Sequence, residues 1–113
     1  MKRTFIETSL FRTRVDGYGD NLLKRIQDLL IENPEEGSTI ASTSGIRKMR
    51  VEDKKRGKGK RGGLRVLYLD LSDQNLTFLL TLYSKDEKEN ISPEEKKVLR
   101  ELVAQLKSIG VRK

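Results

Sequence analysis

Two apolar runs late in the chain, Leu64–Leu71 and Leu76–Ser84, are separated by only four residues, Ser72-Asp-Gln-Asn75. Runs of this length and composition, joined by a short polar turn, pair as an antiparallel hairpin. Leu64–Leu71 is apolar at both parities, Val66 and Tyr68 against Leu67 and Leu69, which places it in the middle of a sheet. In Leu76–Ser84 one parity, Leu76, Phe78, Leu80 and Leu82, is solidly apolar and reads as core. The other carries Thr77, Thr81 and Tyr83 and continues to Lys85.

The rest of the chain supplies helices to cover this hairpin and further strands to extend it. Arg3–Thr8 reads as an opening strand, and Ser9–Tyr18 as a short helix with Leu10, Phe11 and Val15 on one face. From Asp20 to Asn33, Leu22, Leu23, Ile26, Leu29 and Leu30 form one helical stripe. Asp20 is placed to cap it, and Pro34 ends it, because proline cannot continue the hydrogen-bond ladder. Residues 35–45 read as loop and Ile46–Val51 as a strand. Ser92-Pro-Glu-Glu95 is a capping box that starts a last helix, with Val98, Leu99, Leu102, Val103 and Leu106 as its apolar face and Gly110 as its stop. The expected architecture is α+β: an antiparallel sheet with two N-terminal helices and one C-terminal helix. With 113 residues the chain reads as a single domain, residues 1–113.

Several function classes are disfavoured by what is missing. There is no Cys, hence no disulfide framework or thiolate zinc site, and no His, the commonest metal ligand and the usual proton shuttle near neutral pH. No metal or cofactor is expected, and acid–base chemistry would fall to Lys, Arg, Tyr, Asp or Glu. The N-terminus lacks the apolar core of a signal peptide, and no apolar run reaches the roughly 20 residues of a membrane span, so the cytoplasm is the expected location.

The charge is concentrated. Ten of the 24 basic residues lie between Gly45 and Arg65, opposed only by Glu52 and Asp53, while the remainder of the chain is close to neutral. Such a patch points to a polyanion, nucleic acid foremost. Its centre, Asp53-Lys-Lys-Arg-Gly-Lys-Gly-Lys-Arg-Gly-Gly63, is too rich in glycine for a stable helix or a good strand. It lacks the Gly-x-x-x-x-Gly-Lys-Ser/Thr spacing of a phosphate-binding P-loop. Hairpin pairing brings the end of Leu76–Ser84, with Tyr83 and Lys85, beside Arg65 and this loop. Crowded cations of this kind suit RNA cleavage without histidine. A lysine among like charges can help remove the ribose 2′-hydroxyl proton, arginines can stabilise the charged phosphorane, and a second Lys or a Tyr can protonate the leaving oxygen.

Gly57-Lys-Gly-Lys-Arg-Gly-Gly-Leu-Arg-Val-Leu-Tyr68, then Leu79-Leu-Thr-Leu-Tyr-Ser-Lys-Asp-Glu87 and the Ser92-Pro-Glu-Glu-Lys-Lys97 helix start, resemble HigB-like toxins of the RelE superfamily of bacterial toxin–antitoxin systems. The resemblance implies a small α+β toxin that enters the ribosomal A site and cleaves mRNA, neutralised by a HigA-like or other helix-turn-helix antitoxin. It matches Lys58, Lys60, Arg61 and Arg65 to the family's basic loop and strand residues, and offers Lys85 and Tyr83 as nearest counterparts of an Arg and a Tyr after the last strand. The expected catalytic set is Lys58, Lys60, Arg65, Tyr83 and Lys85. Arg47, Lys48, Arg50, Lys54, Lys55, Arg56 and Arg61 are the expected RNA contacts. The alternatives are a basic nucleic-acid-binding module without nuclease activity and a ParE-like toxin directed at gyrase. A nuclease needs Arg65, Lys85 and the loop lysines to converge, whereas a binder needs only their charge.

Overall fold

The computed structural model describes residues 3–19, 21–88 and 90–111; the capping role read for Asp20 lies outside them. Five strands, β1 (Thr4–Glu7), β2 (Ser38–Thr39), β3 (Arg47–Val51), β4 (Leu64–Leu71) and β5 (Leu76–Ser84), form one sheet in the order β1-β5-β4-β3-β2. Three helices, α1 (Ser9–Asp16), α2 (Leu22–Glu32) and α3 (Pro93–Val111), complete the α+β fold. The β4–β5 hairpin has the expected boundaries, and β4 is central. The sheet is mixed rather than wholly antiparallel, because β1 pairs in parallel with β5, Thr4 opposite Leu76. The segment read as loop, residues 35–45, contributes the short edge strand β2, antiparallel to β3.

Both faces of the sheet are covered. On one, Phe11 and Val15 of α1 and Leu22, Ile26 and Leu30 of α2 pack on Met49, Val51, Leu64, Val66, Tyr68, Leu79 and Leu82. On the other, Val103 of α3, with Leu99, Leu102 and Leu106 partly buried, packs on Leu67, Leu69, Phe78, Leu80 and Tyr83. Val98, expected on that apolar face, is 63% exposed. The α3 capping box forms as read: the Glu95 N–H donates to Ser92 Oγ at 3.1 Å and the Ser92 N–H to Glu95 Oε1 at 2.8 Å. The helix continues through Gly110 to Val111.

A β-bulge overturns the parity reading of β5. Leu67 pairs with Thr81, but Tyr68 pairs with Leu79, so Leu80 is an extra residue in the strand. Alternation reverses across such a residue. Tyr83 therefore joins Phe78 and Leu80 against α3, while Leu82 joins Leu79 against α1 and α2. The polar row expected from Thr77 through Tyr83 does not exist as one face. Thr77, before the bulge, is buried and bonded to Arg3 and Asp70.

Side chains close the open ends. Thr8 accepts from the Phe11 N–H at the start of α1 and donates to Leu80 O at 2.7 Å, tying α1 to the free edge of β5 where β1 ends. Tyr68, fully buried, donates to Pro34 O at 2.8 Å and accepts from the Gly37 N–H, which sets the chain entering β2. Burial is also what chiefly raises the Tyr68 pKa.

Candidate nucleic-acid interface

The basic stretch divides between two faces of the sheet and a structured loop. β3 alternates: Met49 and Val51 point to the α1/α2 side, so Lys48 and Arg50 take the opposite one. Arg47 therefore does not converge with Lys48 and Arg50. Its guanidinium donates to Gly37 O at 2.6 Å and faces Glu35, bracing the β2 connection. On the α3 side, Arg50 pairs across the ladder with Arg65, and Arg65 with Tyr83, a row across three neighbouring strands. Lys48 sits one step along, opposite Leu67, and its ammonium reaches Asn90 at 3.2 Å.

Like charges opposite one another on a sheet repel. The structure offsets this by holding the Arg65 guanidinium on backbone carbonyls of the loop. Its guanidinium donates to Arg61 O at 2.8 Å, Lys60 O at 3.1 Å and Leu64 O at 3.3 Å, and the residue is 3% exposed. A buried cation is tolerable when carbonyl dipoles replace its water. The reciprocal effect falls on the loop: with these carbonyls drawn inward, Lys60 and Arg61 lie exposed.

The first half of the loop is a small hairpin of its own. Asp53 and Lys58 exchange both backbone hydrogen bonds at 2.8 Å. Between them a 3₁₀ turn, Lys54–Arg56, closes through Gly57 at φ +68°. The buried Asp53 carboxylate accepts from the Arg56 N–H and pairs with the Arg56 guanidinium at 3.5 Å. Arg56 also pairs with Asp86, in the turn after β5. Arg56, expected to contact RNA, is thus a strut between two segments of the site. Gly63 lies where the two halves meet. A Cβ there would stand 2.7 Å from Gly59 O, 2.9 Å from Asp53 N and closer still to Val51 O. The Gly63 carbonyl accepts the Lys85 N–H at 3.0 Å, extending the β4–β5 ladder to Lys85.

The turn carrying Lys85 is clamped by Glu87. Its carboxylate accepts from the Ser84 N–H and the Tyr18 hydroxyl, each at 2.9 Å, and pairs with Arg14 at 3.3 Å. The Glu87 N–H returns a bond to Ser84 Oγ. The Ser84 N–H, first, and the other donors hold the Glu87 carboxyl below its ordinary value. Burial, then the bond to Glu87, raises the Tyr18 hydroxyl. Glu95 is lowered too, by Lys88 and by the Ser92 N–H. Carboxyls depressed in the folded state stabilise it above their unfolded pKa, and that stability is lost as pH falls through the folded values. The melting temperature is therefore expected to fall below about pH 4.5, with Glu87→Gln giving a shallower acid limb in pH-dependent melts.

The candidate residues are now placed. Lys60, Lys48 and Arg50 line an open groove of about 370 Å³ together with Glu36 and Ser38. Lys85 is not among the residues lining it; its backbone N–H bonds Gly63 O at the end of the β4–β5 ladder. The side chains of Lys58, Lys60, Arg61 and Lys85 make no hydrogen bond or ion pair among the described residues. Tyr83, expected on the polar row of β5 as a catalytic residue, is 1% exposed, its ring beneath the Lys88 ammonium at 5.1 Å. Lys54 and Lys55 face a different cleft, beside Tyr18 and Arg25. Gly63, Asp53 and Glu87 were missed as site residues. A signal for Glu87 existed, since Ser84-x-x-Glu87 has the same spacing as the Ser92–Glu95 box.

This cation-lined groove and the loop held by Arg65 lie within the stretch that a family model matches. The model of the RelE toxin of the RelE/RelB toxin–antitoxin system covers residues 20–112. The chain belongs to the RelE toxin family. The match spans α2, β2, β3, the basic loop, β4, β5 and α3, and so includes every residue lining the groove, and omits β1 and α1. As a RelE-family chain it is the toxin of a toxin–antitoxin pair. Among the described residues no helix is long and apolar enough to cross a membrane.

Proposed function

We propose that this RelE-family toxin is a ribosome-dependent mRNA endoribonuclease of the HigB-like branch, working without metal or cofactor and inhibiting translation in the cytoplasm as a one-domain protein. The observation that supports this best is the convergence of Lys48, Arg50 and Lys60 on one groove beside the Arg65-held loop, to which the Lys85 backbone is bonded through Gly63. In this reading Lys60 and Lys85, with Lys58, are the proton-transfer candidates, since their ammonium groups are open to substrate. Arg50, Lys48 and Arg61 bind phosphate. Arg65 fixes the loop carbonyls, and so the loop lysines, before substrate arrives; such preorganisation is what stabilising a developing charge requires. Tyr83 forms the covered floor and reaches substrate only if Lys88 and the post-β5 turn move aside.

The partners in this reading are the ribosome, its mRNA, and a helix-turn-helix HigA-like antitoxin. Direct blocking by the antitoxin requires an acidic segment over the groove, because the groove cannot hold that segment and a phosphate backbone together. The test is induced expression with primer extension on a reporter mRNA. Growth arrest with discrete, translation-dependent cleavage is expected, and arrest without cleavage overturns the nuclease reading. Ribosome or RNA binding is expected to fall steeply with salt: four or five loop contacts give a log–log slope near −3, at about 0.7 for each phosphate neutralised on a single strand.

One observation favours the second reading, a basic binding module that does not cut. Arg65 and Tyr83 are both covered, so the free protein presents charge without presenting that pair. Salt-dependent RNA binding with no cleavage on translating ribosomes is its signature.

A further inference from the structure

Lys54 and Lys55 have no part in the groove described above. They face the α1–α2 connection, where an open cleft of about 490 Å³ is lined by Tyr18, Gly19, Asn21, Arg25, Lys54 and Lys55. Among the described lining residues three, Arg25, Lys54 and Lys55, are cations. Arg25, one turn into α2, is fixed there by donating both Nη1 and Nη2 to Glu52 O, at 3.3 and 3.4 Å. Lys54 and Lys55 belong to the turn closed by the Asp53–Lys58 bridge, and so are presented by a held backbone. Their side chains are exposed and make no hydrogen bond or ion pair among the described residues. Glu52 shares a neighbouring surface with Lys54 and Lys58. Tyr18 forms the aromatic wall, half-buried, with its hydroxyl held by Glu87 so that the ring keeps its orientation.

Three cations held close together repel one another, and an anion bound among them lowers that cost. An aromatic wall beside cations is the pairing that holds unpaired nucleotides, a base on the ring and phosphates on the lysines. An acidic peptide would use the cations but has no comparable use for the ring. We propose that this cleft is a second RNA-binding site, taking a single-stranded segment beside the α1–α2 connection, apart from the candidate nuclease groove. The inference rests on the RNA-directed reading above and extends it: the loop would be gripped by nucleic acid at two places.

The probe is a short fluorescent oligouridylate, titrated by anisotropy against the full chain over a range of salt. Lys54→Ala/Lys55→Ala is expected to weaken binding and to reduce the log–log salt slope by about 1.4, two single-strand phosphate contacts at about 0.7 each. Tyr18→Leu should weaken binding about ten-fold with little change in slope, because stacking is not ionic. Tyr18→Phe, which loses the Glu87 bond but keeps the ring, should bind within about two-fold of the parent chain, so that loss of the ring is separated from loss of the clamp. Thermal melts establish that each variant is folded. Lys48→Ala/Arg50→Ala provides the comparison for the other groove. If it weakens RNA binding while the Lys54/Lys55 and Tyr18 variants bind like the parent, the second site is wrong and the groove reading stands. If none of the variants changes binding, both are wrong. If Lys54→Ala/Lys55→Ala loses affinity for oligoglutamate but not for oligouridylate, the cleft is a peptide site and the proposal is overturned.

Discussion

Gly63→Ala is expected to abolish toxicity and to lower stability by about 1–3 kcal/mol, the range for forcing an extra carbon into a closed site. The neighbours of the added Cβ are Gly59 O, Asp53 N and Val51 O, all backbone atoms. No side-chain rotation relieves such a contact, so the two arms of the loop must separate. That separation strains the Asp53–Lys58 bridge on one side and the Gly63–Lys85 hydrogen bond on the other. A displacement of about 1 Å at a reacting group can cost on the order of 10²-fold in rate, and here both the loop lysines and Lys85 shift. Gly59→Ala is the control, since a Cβ there meets nothing within 4 Å. Growth arrest on induction, with a denaturation midpoint for each variant, decides the matter. Full toxicity and parental stability in Gly63→Ala would show that the loop packs differently from this structure.

Arg65→Ala is expected to reduce cleavage by roughly 10²–10³-fold while leaving the sheet and helices intact. The sequence alone suggests that such a variant changes charge only. The structure adds a second consequence, because the carbonyls of Lys60, Arg61 and Leu64 lose their common donor. Hydrogen bonds to a charged group are worth about 1.5–3 kcal/mol each, and the freed carbonyls can regain water only if the loop opens. Trypsin, which cuts after Lys and Arg, should therefore cleave Arg65→Ala in the loop faster than the parent, at similar thermal stability of the remainder. Arg65→Lys is expected to rescue weakly, since one ammonium cannot reproduce a planar fork that spans two carbonyls. If Arg65→Ala cleaves mRNA at the parental rate, neither its charge nor its hold on the loop matters to the reaction. If it is inactive but equally resistant to trypsin, Arg65 acts on substrate directly and not through the loop.

Much of the framework is written in local patterns. The β4–β5 hairpin follows from two apolar runs and a four-residue turn, the start of α3 from Ser92 and Glu95, and the end of α2 from Pro34. Each is set within a few residues, where spacing and side-chain chemistry suffice. The basic patch is equally plain, because net charge does not depend on folding. The separation of Arg47 from Lys48 and Arg50 was also within reach, since alternation along β3 assigns them to different faces.

What tertiary structure alone decided are the relations between distant segments. Parallel pairing of β1 with β5 joins residues some 72 positions apart and leaves no local mark. The Leu80 bulge, a misfit between two strands, carries Tyr83 from the expected polar face into the core beneath α3. Arg65 reads in the sequence as one more cation, yet its guanidinium is held by the carbonyls of Lys60 and Arg61, which reach it only once the loop has folded back. Gly63 reads as one more flexible glycine, although the nearness of Val51 O makes it a packing requirement. The charge, the strands other than β2 and the α3 capping box were thus legible in the sequence, because short-range geometry determines them. Which cations converge, which are buried and which act as struts was settled by packing, because those outcomes depend on atoms brought together from opposite ends of the fold.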